Sequence, residues 1–344
     1  MQIRRFNNRN ASLHQKYSSF WEQPLDPDFY ALASYWDLFK TEILNSFYVE
    51  PSASFWAVDG SPDDPRPVAC LVAAFAPTAD EPEGADASLL APFFAAGVDD
   101  EDKATAANLL IEAAENALRE KGTRRVYAGG APPRTDADGY APNGAPLLNG
   151  VYGFGSPVGF FDDDPARKFF VDAGYETERG GDGGVRTFVE RKIDANSFWG
   201  NADELANGWR LTREDWAPPS WRHALIARNF SNARRFCVRG LDANLLAIAW
   251  AYDLVRRSPK NGAFSVQTVV SRLSVRPQYR GQGLGKALVA ACVEDATARV
   301  AKLASNASLE IGAVVAEGDA AACDFWDALG FDVGRRSTPL VKTL

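Results

Sequence analysis

Short runs rich in β-branched and aromatic residues predict the strands of this chain. Each half opens with two such runs on either side of a turn, which is the pattern of a β-hairpin. In the second half, two further runs lead into helical patterns. The runs are residues 55–58 and 67–75 in the first half, and residues 235–238, 245–252, 265–275 and 309–315 in the second.

Apolar residues three and four positions apart predict a long amphipathic helix in each half. These helices cover residues 106–121 and 285–300. Each half then ends with a shorter helical pattern, and the two short patterns share their spacing of Asp, Ala, Phe, Gly and aromatic residues. Asp163 and Asp319 are the predicted N-caps, and Gly174 and Gly330 are the predicted terminators. The chain is therefore predicted to contain an internal repeat.

The repeat predicts two domains, residues 1–196 and 197–344. Strands that alternate with helices after an opening hairpin predict an α/β fold class, with a mixed β-sheet covered by helices in each domain. The first copy is longer, and its extra residues fall in the glycine- and proline-rich stretch 129–159. The aromatics of that stretch are compatible with a pocket lining and with a loop packed on its own side chains, and we favour the loop.

The two predicted domains differ in charge. Residues 1–196 contain 18 basic and 31 acidic residues, whereas residues 197–344 contain 19 basic and 14 acidic residues. An anionic ligand is therefore expected in the second domain. The net charge of −8 for the whole chain argues against a nucleic-acid partner, because a phosphate backbone requires many Lys and Arg contacts.

Other residue types exclude further classes of site. The two histidines lie far apart with no cysteine at ligand spacing, so no metal site is predicted. The four cysteines sit singly in apolar runs, which predicts buried free thiols. No apolar stretch reaches the length of a membrane span, and the N-terminal ten residues lack a signal-peptide core. We therefore expect a cytoplasmic protein with no membrane partner.

A glycine-rich loop precedes the second long helix. Gly281, Gly283 and Gly285 are spaced by two, which lets backbone N–H groups turn toward a phosphate at the positive end of the helix. Arg280 and Lys286 add positive charge. The spacing fits neither a Walker loop nor the dinucleotide-binding Gly-x-Gly-x-x-Gly pattern.

Residues 273–288 resemble the acyl-CoA-binding signature of the GNAT acyltransferases, Gln/Arg-x-x-Gly-x-Gly/Ala. The pattern from Asp319 to Phe331 resembles the last helix of that superfamily, and the match covers residues 236–344. The resemblance implies a tandem GNAT protein, an N-acetyltransferase whose acyl donor is acetyl-CoA. The cofactor-binding residues that it implies are Leu273, Ser274, Val275, Arg280, Gly281, Gln282, Gly283, Leu284, Gly285 and Lys286.

In such a site the pyrophosphate would bind the amides of residues 281–286, and pantetheine would follow the strand edge at 273–275, where the sheet opens. The acyl group would pass directly to an amine of a small molecule or peptide, with a strand amide stabilising the oxyanion. The resemblance implies no metal.

The catalytic residues stay unassigned. Trp326 stands where family members often have a tyrosine that protonates the thiolate, and we predict a core role for it. Some members carry a glutamate base at the position of Val269, and Gln267 and Ser271 on the same strand face are not strong bases. Glu310 is the remaining carboxylate nearby. It is either an exposed charge at the start of a strand or the general base, and water is a further candidate for the base.

The first domain is predicted to be a degenerate copy. Counting back by the helix offset sets Glu101 against Arg280, inside an acidic segment that would repel a pyrophosphate. The alternative function is a catalytically weak or inactive protein that binds and senses acyl-CoA. Transfer onto aminoacyl-tRNA is disfavoured by the acidic first domain, whereas mycothiol-type transfer to a small molecule stays open. The sequence indicates no oligomeric state.

Overall fold

The computed structural model describes residues 1–6, 50–61, 64–75, 86–89, 92–128, 160–162, 164–179, 187–200, 205, 208–214, 234–257, 264–303 and 307–344. The chain divides into two compact units, one of Met1–Thr187 with Arg336–Leu344 and the other of Phe188–Arg335. This division differs from a boundary at residue 196, because each unit takes residues from both halves of the sequence.

The described part of the first unit contains two β-sheets and the helices α1 (Asp100–Glu120) and α2 (Ala166–Asp172). One sheet consists, in spatial order, of β1 (Gln2–Arg5), β2 (Phe55–Gly60), β3 (Pro65–Leu71) and β6 (Phe93–Phe94). The other consists of β4 (Ala73–Phe75), β5 (Asp86–Leu89), β7 (Arg125–Ala128), β17 (Leu340–Thr343) and β9 (Glu176–Thr177). The apolar face of α1, including Leu110 and Leu118, lies in one core with Phe55 and Leu89 of the sheets.

The second unit has a single described sheet with the helices α3 (Leu284–Leu303) and α4 (Ala320–Ala328). Its strands are, in spatial order, β11 (Arg210–Glu214), β12 (Arg234–Arg239), β13 (Leu245–Arg257), β14 (Phe264–Val275), β15 (Ser308–Ala316), β10 (Phe188–Asp194) and β16 (Asp332–Thr338). β14 and β15 run parallel, whereas β10 is antiparallel to β15. β16 continues past Arg335 into the first unit, where residues 337–338 pair with β8 (Phe160–Phe161).

The last strand of each half of the sequence lies in the unit of the other half. β10 follows the first half's helices but pairs with β15 in the second unit. β17 ends the chain, and it lies between β7 and β9 in the first unit. One sheet of each unit therefore contains a strand from the other half of the sequence.

The predicted repeat is visible at the ends of the short helices. Gly174 after α2 and Gly330 after α4 have φ of +86° and +81°, the left-handed region that favours glycine. In both copies the following aromatic residue donates its backbone N–H to the carbonyl five residues earlier. Asp319 caps α4 by accepting from the Ala322 N–H at 3.0 Å, as predicted. The prediction for the first copy was wrong: the N-cap of α2 is Pro165, without a side-chain hydrogen bond, and Asp163 lies outside the described residues.

The remaining expectations concern the cysteines and the membrane. All four cysteines are free, and Cys70, Cys237 and Cys292 are buried while Cys323 is half-buried. In the described ranges no helix is long and apolar enough to cross a membrane. The cytoplasmic location stays a prediction. The glycine-rich stretch 129–159 lies outside the described residues.

Candidate functional site

The sheet of the second unit opens between β14 and β15. Their parallel pairing stops at Val270 and Ala313, although both strands continue beyond these residues. At the same point the pairing of β14 with β13 skips Ser271, which marks a β-bulge. Residues 271–275 of β14 thus have a backbone edge that β15 does not cover.

The glycine-rich loop follows directly, after a short 3-10 helix at Pro277–Tyr279. Gly281 and Gly283 have φ of +73° and +81°, and a Cβ added to either would meet nothing within 4 Å. Among the described residues, the amides of residues 281–285 donate no backbone hydrogen bond, and the amide of Ala287 donates to the carbonyl of Gly283 at 3.0 Å. The loop therefore presents unbonded amides to open space.

Gly285 has a different role from the predicted one. A Cβ at this position would lie 2.9 Å from Cε2 of Phe325 on α4. The missing side chain of Gly285 therefore lets α3 pack against α4, and the space that it leaves is taken by the ring of Phe325. Leu284 is also turned inward, with 1% of its surface exposed.

The polar side chains of the loop are tied to its own backbone. Arg280 donates from Nε to the carbonyl of Val275 at 3.2 Å, and Gln282 donates from Nε2 to the carbonyl of Gln278 at 3.2 Å. Residues 276–286 include three basic residues and no acidic residue. The loop is therefore electropositive, which suits an anionic ligand.

Leu273, Ser274 and Val275 lie at the uncovered end of β14, where Ser274 is exposed and the other two are half-buried. Lys286 lies in the first turn of α3. The structure therefore places the whole predicted set on the strand end, the loop and the first helical turn.

The long helix of the first unit starts differently. The residue before α1 is Asp99, whose carboxylate accepts from the Asp102 N–H at 2.8 Å, and acidic residues fill the first turn. The residue before α3 is Gly283. A carboxylate therefore occupies the helix start in the first unit, where the second unit has open glycine backbone.

Comparison with known proteins identifies the second unit. Residues 202–331 match the sequence profile of the Acetyltransferase (GNAT) family. They form a GNAT domain. No curated protein matches the chain.

Solved structures extend the likeness to both units. A tandem GNAT protein from the clavulanic acid biosynthesis pathway is 15% identical, with 99% of this chain and 98% of that chain covered and a TM-score of 0.61. A glucosamine N-acetyltransferase region of a fungal multidomain β-N-acetylglucosaminidase is 14% identical, with 99% and 38% covered and a TM-score of 0.60. A GCN5-related N-acetyltransferase from Sphaerobacter thermophilus is 12% identical, with 99% and 95% covered and a TM-score of 0.51. The chain therefore has the tandem GNAT fold, which confirms the predicted fold class.

Three polar side chains of the second unit meet on the sheet face away from α3. Gln267 of β14 is 2% exposed, and its Nε2 donates to Glu190 Oε1 of β10 at 3.3 Å and to Glu310 Oε1 of β15 at 3.2 Å. Gly312 leaves room for this amide, because a Cβ there would lie 2.8 Å from Nε2. Gln267 Oε1 is buried without a hydrogen-bond partner. Two carboxylates are thereby held around one amide.

The sequence analysis did not identify Glu190 as a site residue. Its strand precedes residue 196, and only the pairing of β10 with β15 brings it beside Gln267 and Glu310. In the sequence, Glu190 alternates with Lys192 and Asp194, which indicates a polar strand face. Such alternation does not show which strand lies beside it.

Trp326 is a core residue, as predicted. It is 4% exposed, and its ring lies 4.7 Å from the ring of Phe331 and 5.2 Å from that of Phe325, measured between centroids. Its indole is therefore held by aromatic packing within the domain core.

Proposed function

We propose that the GNAT domain transfers an acetyl group from acetyl-CoA to an amine. The observation that carries the proposal is the continuity of the opened sheet with the glycine loop. The uncovered edge at residues 273–275 leads within a few residues to amides that face open space beside three basic side chains. Pantetheine fits the edge, and the pyrophosphate fits the amides of residues 281–286.

We assign one acetyl-CoA to each chain. Asp99 already bonds an amide at the start of α1, and the carboxylates of the first turn repel a phosphate. The first unit therefore acts as a degenerate copy that keeps the fold without the cofactor site.

The acceptor amine is assigned to the sheet face of Glu190, Gln267 and Glu310. Two carboxylates on this face attract an ammonium group, and Glu310 Oε2 already lies 3.8 Å from the ammonium of Lys192. After the ammonium loses a proton, its nitrogen attacks the thioester carbon, so that a C–N bond forms and the C–S bond breaks. The sulfur leaves as the thiolate of CoA, and the amine's second proton passes to solvent.

Calorimetry and an amine screen test the proposal together. Acetyl-CoA should bind with one site per chain, and free CoA should be released when primary amines are added. If acetyl-CoA binds but no free CoA is released with any amine at any pH, the result supports the alternative function, a protein that only binds acyl-CoA. The observation behind that alternative is Trp326, which stands at the position of the usual tyrosine. Absence of binding overturns both functions.

A further inference from the structure

Trp199 is a large aromatic side chain held out toward solvent beside the glycine loop. It is 63% exposed, although its two neighbours in the chain pack against the second unit. Phe198 packs edge-on against Phe331, and a Cβ at Gly200 would lie 3.3 Å from Cβ of Ala290 on α3. The backbone on both sides is anchored, so the exposed indole is held in place by its neighbours.

The indole contacts the cation that the sequence analysis assigned to the phosphate loop. Lys286 Nζ lies 4.1 Å from the centre of the Trp199 ring, within the range of a cation–π interaction. The ammonium is therefore held to one side of the loop. The pair brings a π-face and a positive charge together next to the amides of residues 281–285.

We infer that Trp199 and Lys286 bind the 3′-phosphoadenosine end of CoA, an inference that rests on the proposed function. With pantetheine on the edge of β14 and the pyrophosphate on the loop, the adenosine extends beyond the loop on the far side from the thioester. Adenine stacks on an exposed indole because every base has a π-face. The ammonium of Lys286 pairs with the 3′-phosphate, which carries a localised charge.

The test compares ligands that differ only at this end. Trp199→Ala should weaken the binding of acetyl-CoA about tenfold, as loss of a stacked base does, and leave acetyl-4′-phosphopantetheine unchanged. Lys286→Met should weaken acetyl-CoA more than acetyl-dephospho-CoA, which lacks the 3′-phosphate. Leu241→Ala is the control, because Leu241 is 85% exposed in the same unit and lies in a different turn.

Each remaining outcome decides the inference. Equal weakening of acetyl-CoA and acetyl-4′-phosphopantetheine in Trp199→Ala overturns it, since the effect would then lie in the loop. Unchanged affinity for acetyl-CoA also overturns it, while the proposed function stands. If wild-type protein binds no acetyl-CoA, the proposed function fails as well.

Trp199→Phe keeps a stacking face and should retain most of the affinity. Adenosine 3′,5′-bisphosphate should displace acetyl-CoA from the wild type but lose affinity in Trp199→Ala.

Discussion

Lys342, in the last strand of the chain, places its ammonium 2.9 Å and 2.8 Å from the two carboxylate oxygens of Glu115 on α1. The same ammonium donates to the carbonyl of Ala173 at 2.8 Å and lies 5.6 Å from the ring centre of Tyr175. The Glu115 side chain is 8% exposed. β17 is thus joined to the first unit by a largely buried ion pair as well as by its ladder.

The exchanged strand of the second unit has a corresponding pair. Arg191 of β10, with 6% of its side chain exposed, donates from Nη1 to Asp327 of α4 at 2.5 Å. Each strand that crosses from one half of the sequence to the other is therefore held by a charge pair to a helix of its host unit.

Lys342→Met should destabilise the protein by roughly 3 kcal/mol, because it leaves the Glu115 carboxylate buried without its cation. Urea unfolding followed by circular dichroism measures the loss. Lys103→Met is the matched control, since Lys103 pairs with the exposed Asp100 on the surface of the same helix. The control should cost less than about 1 kcal/mol. Equal losses of unfolding free energy in the two variants would show that the buried ion pair contributes no more to stability than the exposed one.

Fragments that follow the spatial units should fold better than fragments that follow the sequence halves. Residues 188–335 contain the whole second unit, whereas residues 197–344 lack β10 and carry β17 without its partners. The first fragment should be monodisperse, with a cooperative thermal transition that acetyl-CoA raises. The second should expose the edge of β15 and aggregate. Equal behaviour of both fragments would contradict the strand exchange.

The sequence analysis predicted elements more reliably than it predicted their partners. The long helices were predicted at 106–121 and 285–300, and the structure has them at 100–120 and 284–303. A strand's apolar alternation shows which face is buried but not which strand lies beside it, so the places of β10 and β17 were not predictable from pattern.

The same limit applies to the glycines of the loop. Three glycines at regular spacing look alike in sequence, yet Gly281 and Gly283 face open space while Gly285 faces the ring of Phe325. Whether a missing side chain makes room for a ligand or for a neighbouring helix depends on tertiary packing. Trp199 was not predicted for the same reason, because only the structure sets it beside Lys286.

Gly283→Val should reduce the affinity for acetyl-CoA by at least thirtyfold, because the side chain fills the space in front of the amides. It also forces a β-branched residue into φ of +81°, at a cost on the order of 1–2 kcal/mol in stability. Gly97→Val separates the two effects, since Gly97 has φ of +79° with open space around it in the first unit. It should cause a similar stability loss with unchanged affinity in calorimetry. Loss of affinity in both variants would indicate a general effect of strain.

Thiol reagents at pH 8 should modify Cys323 in the native protein and spare the other cysteines. Burial raises the pKa of Cys292 to about 12 and that of Cys237 to about 11, and it raises the pKa of Cys70 well above its usual value. Mass spectrometry of peptides should show all four labelled only in urea. Because the folded Cys292 keeps its proton when the unfolded thiol ionises near pH 9, this group's contribution to stability falls between about pH 9 and 12. Rapid native labelling of Cys292 would contradict its burial.

Trp326→Tyr should leave the acetyl-transfer rate within about tenfold of the wild type. The indole is 4% exposed and packs between Phe325 and Phe331, so a phenol in its place stays in the core and does not reach a departing thiolate. A thiol pKa of roughly 8.5 makes the thiolate of CoA a good leaving group, which can depart without a proton donor. The rate should therefore rise with pH as the amine loses its proton, and it should show no descending limb in either form. Release of free CoA, followed from pH 6 to 10 with one amine in excess, measures both profiles. A descending limb at high pH confined to Trp326→Tyr, or a rate more than tenfold higher, would show that this position reaches the leaving group after all.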